Sequence, residues 1–70
     1  MSSYSHSSAK ERRALILKML EAENELSVTA LSKNLGISEV TIRKDLTNLQ
    51  NRNLLVRTRG GAIRKPIENL

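Results

Sequence analysis

The sequence predicts a mainly α domain in which three helices are followed by a small β-hairpin. Three observations carry that expectation. Apolar residues recur at three- and four-residue steps in three stretches, the period of a helix with one buried face. Serine or threonine stands before each stretch and asparagine or glycine after it, where helix caps belong. A Gly60-Gly61 pair then separates two short β-rich runs, a hairpin signal because turns matched to strand twist need positive φ.

Met1 to Ser8 is rich in serine and reads as a flexible tail; it lacks the basic and apolar regions of a secretory signal. Ser8-Ala9-Lys10-Glu11 has the spacing of a capping box and opens a first helix that runs to about Glu23, with Leu15, Ile16, Met19 and Leu20 on one stripe. Asn24-Glu25 ends it. Leu26-Ser27-Val28 is short and alternating, enough for one brief strand or an extended entry into the next element. A second helix begins between Ser27 and Thr29, turns Val28, Leu31 and Leu35 inward, and stops at Gly36. Thr29 is read as a cap.

Only Ile37 separates Gly36 from Ser38, which caps a third helix running to about Arg52, so the turn between the two helices must be sharp. In that third helix Ile42, Leu46 and Leu49 fall within about 40° of one direction at about 100° per residue. The opposite side holds Val40, Lys44, Thr47 and Asn51, flanked by Thr41, Arg43 and Asn48. Asp45, at the edge of the core stripe, is read as half of a structural ion pair or hydrogen bond. Asn53 closes the helix, and the runs Leu54–Thr58 and Ala62–Lys65 flank Arg59-Gly60-Gly61. Residues 27–52 then form a helix-turn-helix and 54–65 a wing, within a domain spanning 9–65; 66–70 lead out of it. This order is that of a winged helix-turn-helix.

Seventy residues allow one small domain, because so short a chain buries only about 60% of the surface its unfolded form exposes. Without cysteine it has neither a disulfide framework nor a thiolate metal site, and a cytoplasmic setting is the simplest reading. No apolar run approaches the roughly 20 residues of a membrane span. Twelve Lys and Arg against seven Asp and Glu give a net charge of +5, which favours a polyanionic partner. The excess is uneven: residues 1–35 carry net +1 and residues 36–70 net +4. Positive charge therefore gathers on the third helix and the hairpin.

The major groove of B-DNA admits one helix, and a helix entering it needs core contacts on one side and donors on the other. Arg43 and Lys44 are candidates for guanine or phosphate, Ser38, Thr41 and Thr47 are short donors, and Val40 suits a thymine methyl. Arg57 and Arg59, bracketing Gly60-Gly61, suit a wing on phosphates or in the minor groove. Single-stranded nucleic acid is disfavoured, since stacking needs aromatic rings and Tyr4 is the only one. One histidine, His6, and no paired carboxylates argue against an enzyme, and nothing calls for a cofactor or a metal. The alternative is a winged-helix protein-interaction module that binds no specific DNA sequence.

The segment Ser38-Glu-Val-Thr-Ile-Arg-Lys-Asp-Leu46, with Leu49 and Asn53-Leu-Leu-Val-Arg-Thr-Arg-Gly-Gly-Ala62, resembles the amino-terminal DNA-binding domain of DeoR-type bacterial transcriptional regulators. The likeness covers about Lys10 to Ile63. It departs from the family pattern twice: Lys44 replaces an arginine, removing a bidentate fork, and Arg59 replaces a frequent histidine while keeping positive charge. The resemblance implies a repressor of a sugar or sugar-alcohol catabolic operon that binds double-stranded operator DNA. It places Ser38, Thr41, Arg43 and Lys44 on the recognition helix and Arg57, Gly60 and Gly61 on the wing. It further implies a carboxy-terminal sensor domain for a phosphosugar effector, absent from this chain, a full-length homo-oligomer, and a monomer for the domain alone.

Overall fold

A computed structural model describes residues 8–66, so the Ser-rich segment 1–7 and the exit beyond Pro66 lie outside the described residues. Helix α1 spans Ala9–Glu23, strand β1 Glu25–Ser27, helix α2 Val28–Leu35, helix α3 Glu39–Asn51, strand β2 Leu55–Thr58 and strand β3 Gly61–Arg64. The architecture is a winged helix-turn-helix, as the capping pattern predicts.

Each helix starts on a serine in extended conformation whose Oγ accepts an orphan amide: Ser8 from Glu11, Ser27 from Ala30 and Ser38 from Thr41. Each ends through left-handed backbone, at Asn24 (φ 71°), Gly36 (φ 66°) and Asn53 (φ 62°). After α3, Leu54 N–H donates to the Leu49 carbonyl at 2.9 Å and Asn53 N–H to that of Gln50 at 2.8 Å. That pair of bonds is a Schellman closure, and the asparagine takes the place usually held by glycine. Thr29 is not the cap of α2, contrary to the sequence reading; Ser27 is, and the Thr29 hydroxyl is used elsewhere.

The three helices and the sheet share one aliphatic core. Ile16 and Leu20 of α1, Val28, Leu31 and Leu35 of α2, Ile42, Leu46 and Leu49 of α3, Leu55 of β2 and Ala62 of β3 are all buried. Each large member contributes about 1.5–3 kcal/mol by leaving water. The stripe predicted for α3 is thus its inner face, and Val40, Lys44, Thr47 and Asn51 opposite it are exposed.

The hairpin is part of a larger sheet. β1 joins it, and the strand order is β1-β3-β2, antiparallel throughout. Leu26 faces Ala62 across one ladder and Arg57 faces Ala62 across the other. The Val28 N–H donates to the Gly60 carbonyl at 2.8 Å and the Arg64 N–H to the Asn24 carbonyl at 2.9 Å, so β1 is tied to the hairpin at both ends.

The glycine pair does not make the turn the sequence suggests. Arg59 and Gly60 form the turn between paired Thr58 and Gly61, and neither has positive φ. Gly61 belongs to β3 and is buried. A Cβ on it would lie 1.9 Å from the Leu26 carbonyl oxygen and 2.8 Å from the Ser27 Cα. The residue is glycine because β1 passes directly over it, not because the chain reverses there.

Candidate nucleic-acid interface

The turn between α2 and α3 is fixed by short-range bonds. Gly36 N–H and Ile37 N–H both donate to the Ser32 carbonyl, at 2.9 and 3.2 Å, while the Ser32 hydroxyl donates back to the Ile37 carbonyl at 2.6 Å. Three bonds within six residues leave the angle between the two helices little freedom. Packing of Leu31 and Leu35 beneath Ile42 and Leu46 within one core completes the pair.

The roll of α3 about its axis is set from α1. Asp45, 1% exposed, accepts from Arg12 Nε, from Arg12 Nη2 at 2.9 Å and from Arg13 Nε at 3.2 Å. The sequence reading of Asp45 as half of a structural pair holds, and the partners prove to lie 32 and 33 residues away. The hydrogen bond to Asp45 raises the Arg12 pKa above the ordinary guanidinium value; burial opposes the shift and the charge of Asp45 adds to it. With Asp45 turned inward and bound, α3 cannot roll without breaking a charge-assisted fork.

What that roll presents is a polar, cationic surface. Ser38, Val40, Arg43, Lys44 and Thr47 are exposed and Thr41 is half-buried. Val40 is 60% exposed, the most exposed of the large apolar side chains among the described residues. Ser38 Oγ caps Thr41 N–H at 3.2 Å and donates to Thr41 Oγ1 at 3.1 Å, so both hydroxyls are engaged at the helix start. Arg43 Nη2 donates to Glu39 Oε1 at 3.0 Å, and Thr29 Oγ1 to Glu39 Oε2 at 3.2 Å. Lys44 has no side-chain partner among the described residues.

The wing is joined to this surface. The Arg57 N–H donates to Gln50 Oε1 at 2.7 Å, and Arg57 Nη1 donates to Thr47 Oγ1 at 2.8 Å. Arg57 Nε is buried without a partner, so the guanidinium is held through Nη1 against α3. Arg57 therefore belongs with Thr47, whereas Arg59 stands exposed at the hairpin turn. Gly60 is exposed beside it; Gly61, expected on the same surface, is buried between β1 and β2. Glu39 and Gln50 join this network without having stood out in the sequence. The four-residue spacing of Glu39 and Arg43 is a local signal that identifies the first; no local pattern joins Gln50 to Arg57.

The described residues hold no group of three His, Cys, Asp or Glu side chains placed for an ion. Among them, no helix is long and apolar enough to cross a membrane. What they assemble is a helix with one face in the core and a cationic opposite face, backed by a two-stranded wing.

Residues 12–66 match the family model of the DeoR-like helix-turn-helix domain. The chain belongs to the DeoR-like helix-turn-helix family. It therefore carries a DNA-binding domain of the kind found in transcriptional regulators. Among similar proteins are the HTH-type transcriptional regulator GlpR of Haloferax volcanii, 42% identical over 53 residues, and the L-fucose operon activator of Haemophilus influenzae, 41% identical over 59 residues. The HTH-type transcriptional repressor GlcR of Bacillus subtilis is 39% identical over 54 residues. These alignments take in 76%, 84% and 77% of this chain but 21%, 24% and 21% of the relatives. The DeoR-like chain thus spans a quarter or less of the length of those relatives. No solved structure matches it significantly.

Proposed function

We propose that this domain reads double-stranded operator DNA by laying the exposed face of α3 in the major groove, as part of a regulator, acting as a repressor, of a sugar or sugar-alcohol catabolic operon. The observation that carries the reading is the two-sidedness of α3: Ile42, Leu46 and Leu49 are fully buried while Val40, Arg43, Lys44 and Thr47 are exposed. In this reading Lys44 and Arg43 donate to base edges or phosphates, Val40 meets a thymine methyl, and Ser38, Thr41 and Thr47 supply shorter polar contacts. Arg57, lying against Thr47, and Arg59, at the hairpin turn beside Gly60, face the flanking phosphates. Gly61 drops out of the set because it is buried.

The sugar assignment draws on relatives named for the L-fucose operon, the aga operon and the lactose phosphotransferase system. A phosphosugar effector and a homo-oligomeric assembly belong, in this proposal, to a sensor domain outside the chain, as in the wider DeoR pattern. The isolated domain then acts as a monomer.

The test is duplex binding by the domain and its Arg43→Ala and Lys44→Ala variants, using DNA selected from a randomised library and the region beside its own gene. A side chain that reads a base should cost about 1–3 kcal/mol when truncated. Affinity should fall steeply with salt and exceed that for the same sequence as single strands. Folded alanine variants that bind the selected duplex as the wild type does would refute the assignment of α3. Failure of the wild type to bind any duplex would favour the interaction-module alternative.

A further inference from the structure

We propose that Glu39 is a specificity-determining residue that acts by holding Arg43. The inference rests on the DNA-reading assignment above and deepens it. From Gly36 to Pro66 the sequence holds two acids, Glu39 and Asp45, and Asp45 is buried against α1. Glu39, half-buried with its side chain 41% exposed, is thus the negative charge at the surface proposed to meet a polyanion.

A carboxylate so placed repels phosphates, and if unspecific affinity were the whole requirement it would be a defect. Its contacts indicate a different purpose. One oxygen accepts from Arg43 Nη2 at 3.0 Å, one turn along α3, and the other accepts from Thr29 Oγ1, on the first turn of α2, at 3.2 Å. Glu39 is therefore pinned from the neighbouring helix and in turn pins a guanidinium. Two consequences follow. Arg43 loses the freedom to swing to whichever phosphate is nearest, and it offers its remaining donors from a fixed place, as bidentate readout of a base edge needs. Glu39 is accordingly a positioning residue: it lowers affinity for unmatched DNA and widens the gap between matched and unmatched sequences.

The experiment compares wild type, Glu39→Gln and Glu39→Gln/Arg43→Ala on two probes, a duplex selected by the wild type from a randomised library and a scrambled duplex of equal length and composition, over a series of salt concentrations. Glutamine keeps oxygen and length while removing the charge. Releasing Arg43 to one further phosphate should steepen the log–log salt slope on the scrambled duplex by about 0.9 and tighten that binding about 5- to 10-fold near 0.1 M salt. The ratio of selected to scrambled affinity should fall at least as far. In the double variant the gain on scrambled DNA should vanish, because the released cation is gone. A helix-stabilising role alone moves the melting temperature and leaves the slope unchanged. A Glu39→Gln variant whose slope and affinity ratio match wild type overturns the proposal. So does a gain that persists without Arg43, which would assign the effect to the carboxylate's own field. If the wild type prefers no duplex, the DNA reading falls and this inference with it.

Discussion

Replacing Asp45 by alanine should unfold this domain at ordinary temperatures more readily than any single truncation on its surface. Asp45 is 1% exposed and accepts three charge-assisted hydrogen bonds, two from Arg12 and one from Arg13, whose side chains are 12% and 28% exposed. Removing one member of a buried pair costs about 3–5 kcal/mol, because the remaining charge is left without compensation. Both arginines lie near enough to solvent to turn outward, which places the expected loss at the lower end, about 3 kcal/mol. A domain of this size has about 4–10 kcal/mol in all, so the loss takes between a third and most of it. At about 4–8 °C per kcal/mol the melting temperature should fall by about 12–24 °C. Thermal and urea denaturation followed by far-ultraviolet circular dichroism measure this directly. A cycle with Arg12→Ala should show strong coupling, the double variant being much less destabilised than the two single losses together. A loss below about 1 kcal/mol, or additive single effects, would refute the claim that α1 fixes the roll of α3 through Asp45.

Two glycines adjacent in sequence should respond in opposite ways. Gly61→Ala drives a Cβ into the backbone of β1 and should cost about 1–3 kcal/mol, whereas Gly60→Ala meets nothing within 4 Å and has no positive φ, so it should be neutral or stabilising by up to about 1 kcal/mol; chemical denaturation of the two variants decides it. The pH dependence follows from Arg12, whose pKa is raised in the folded state. A raised pKa gives stability that is whole below the unfolded-state guanidinium value and is lost only as pH climbs through the still higher folded value. The Arg12 contribution, measured as the stability difference between wild type and Arg12→Ala, should therefore stay constant between about pH 6 and 10; a decline within that window would contradict the sign of the shift.

The local features were legible in the sequence because their causes are local. Ser8, Ser27 and Ser38 mark helix starts through bonds to residues three positions on, and Gly36 and Asn53 mark ends through their own backbone conformation. The spacing of Ile42, Leu46 and Leu49 announced both the buried side of α3 and, by subtraction, its exposed side. Long-range geometry was not legible. That Asp45 is paired followed from its place on the helix, but that Arg12 and Arg13 pair it depends on how α1 crosses α3. The same holds for the pairing of β1, expected as a brief strand or an extended entry, with β3, and for Gly61, whose requirement comes from a backbone 35 positions earlier. Gln50 lay hidden for that reason too: its partner is a backbone amide on another element.

The pair of bonds from Arg57 to Thr47 and Gln50 bears on how such domains diversify. A recognition helix is often treated as a cassette to be exchanged between relatives. If α3 reads DNA as proposed, that cassette has a rivet in the neighbouring strand, so transplanting α3 with a different residue at 47 or 50 would leave Arg57 without its seat and retune the ribbon as well. Changes of target sequence should then travel in threes, at positions 47, 50 and 57 together.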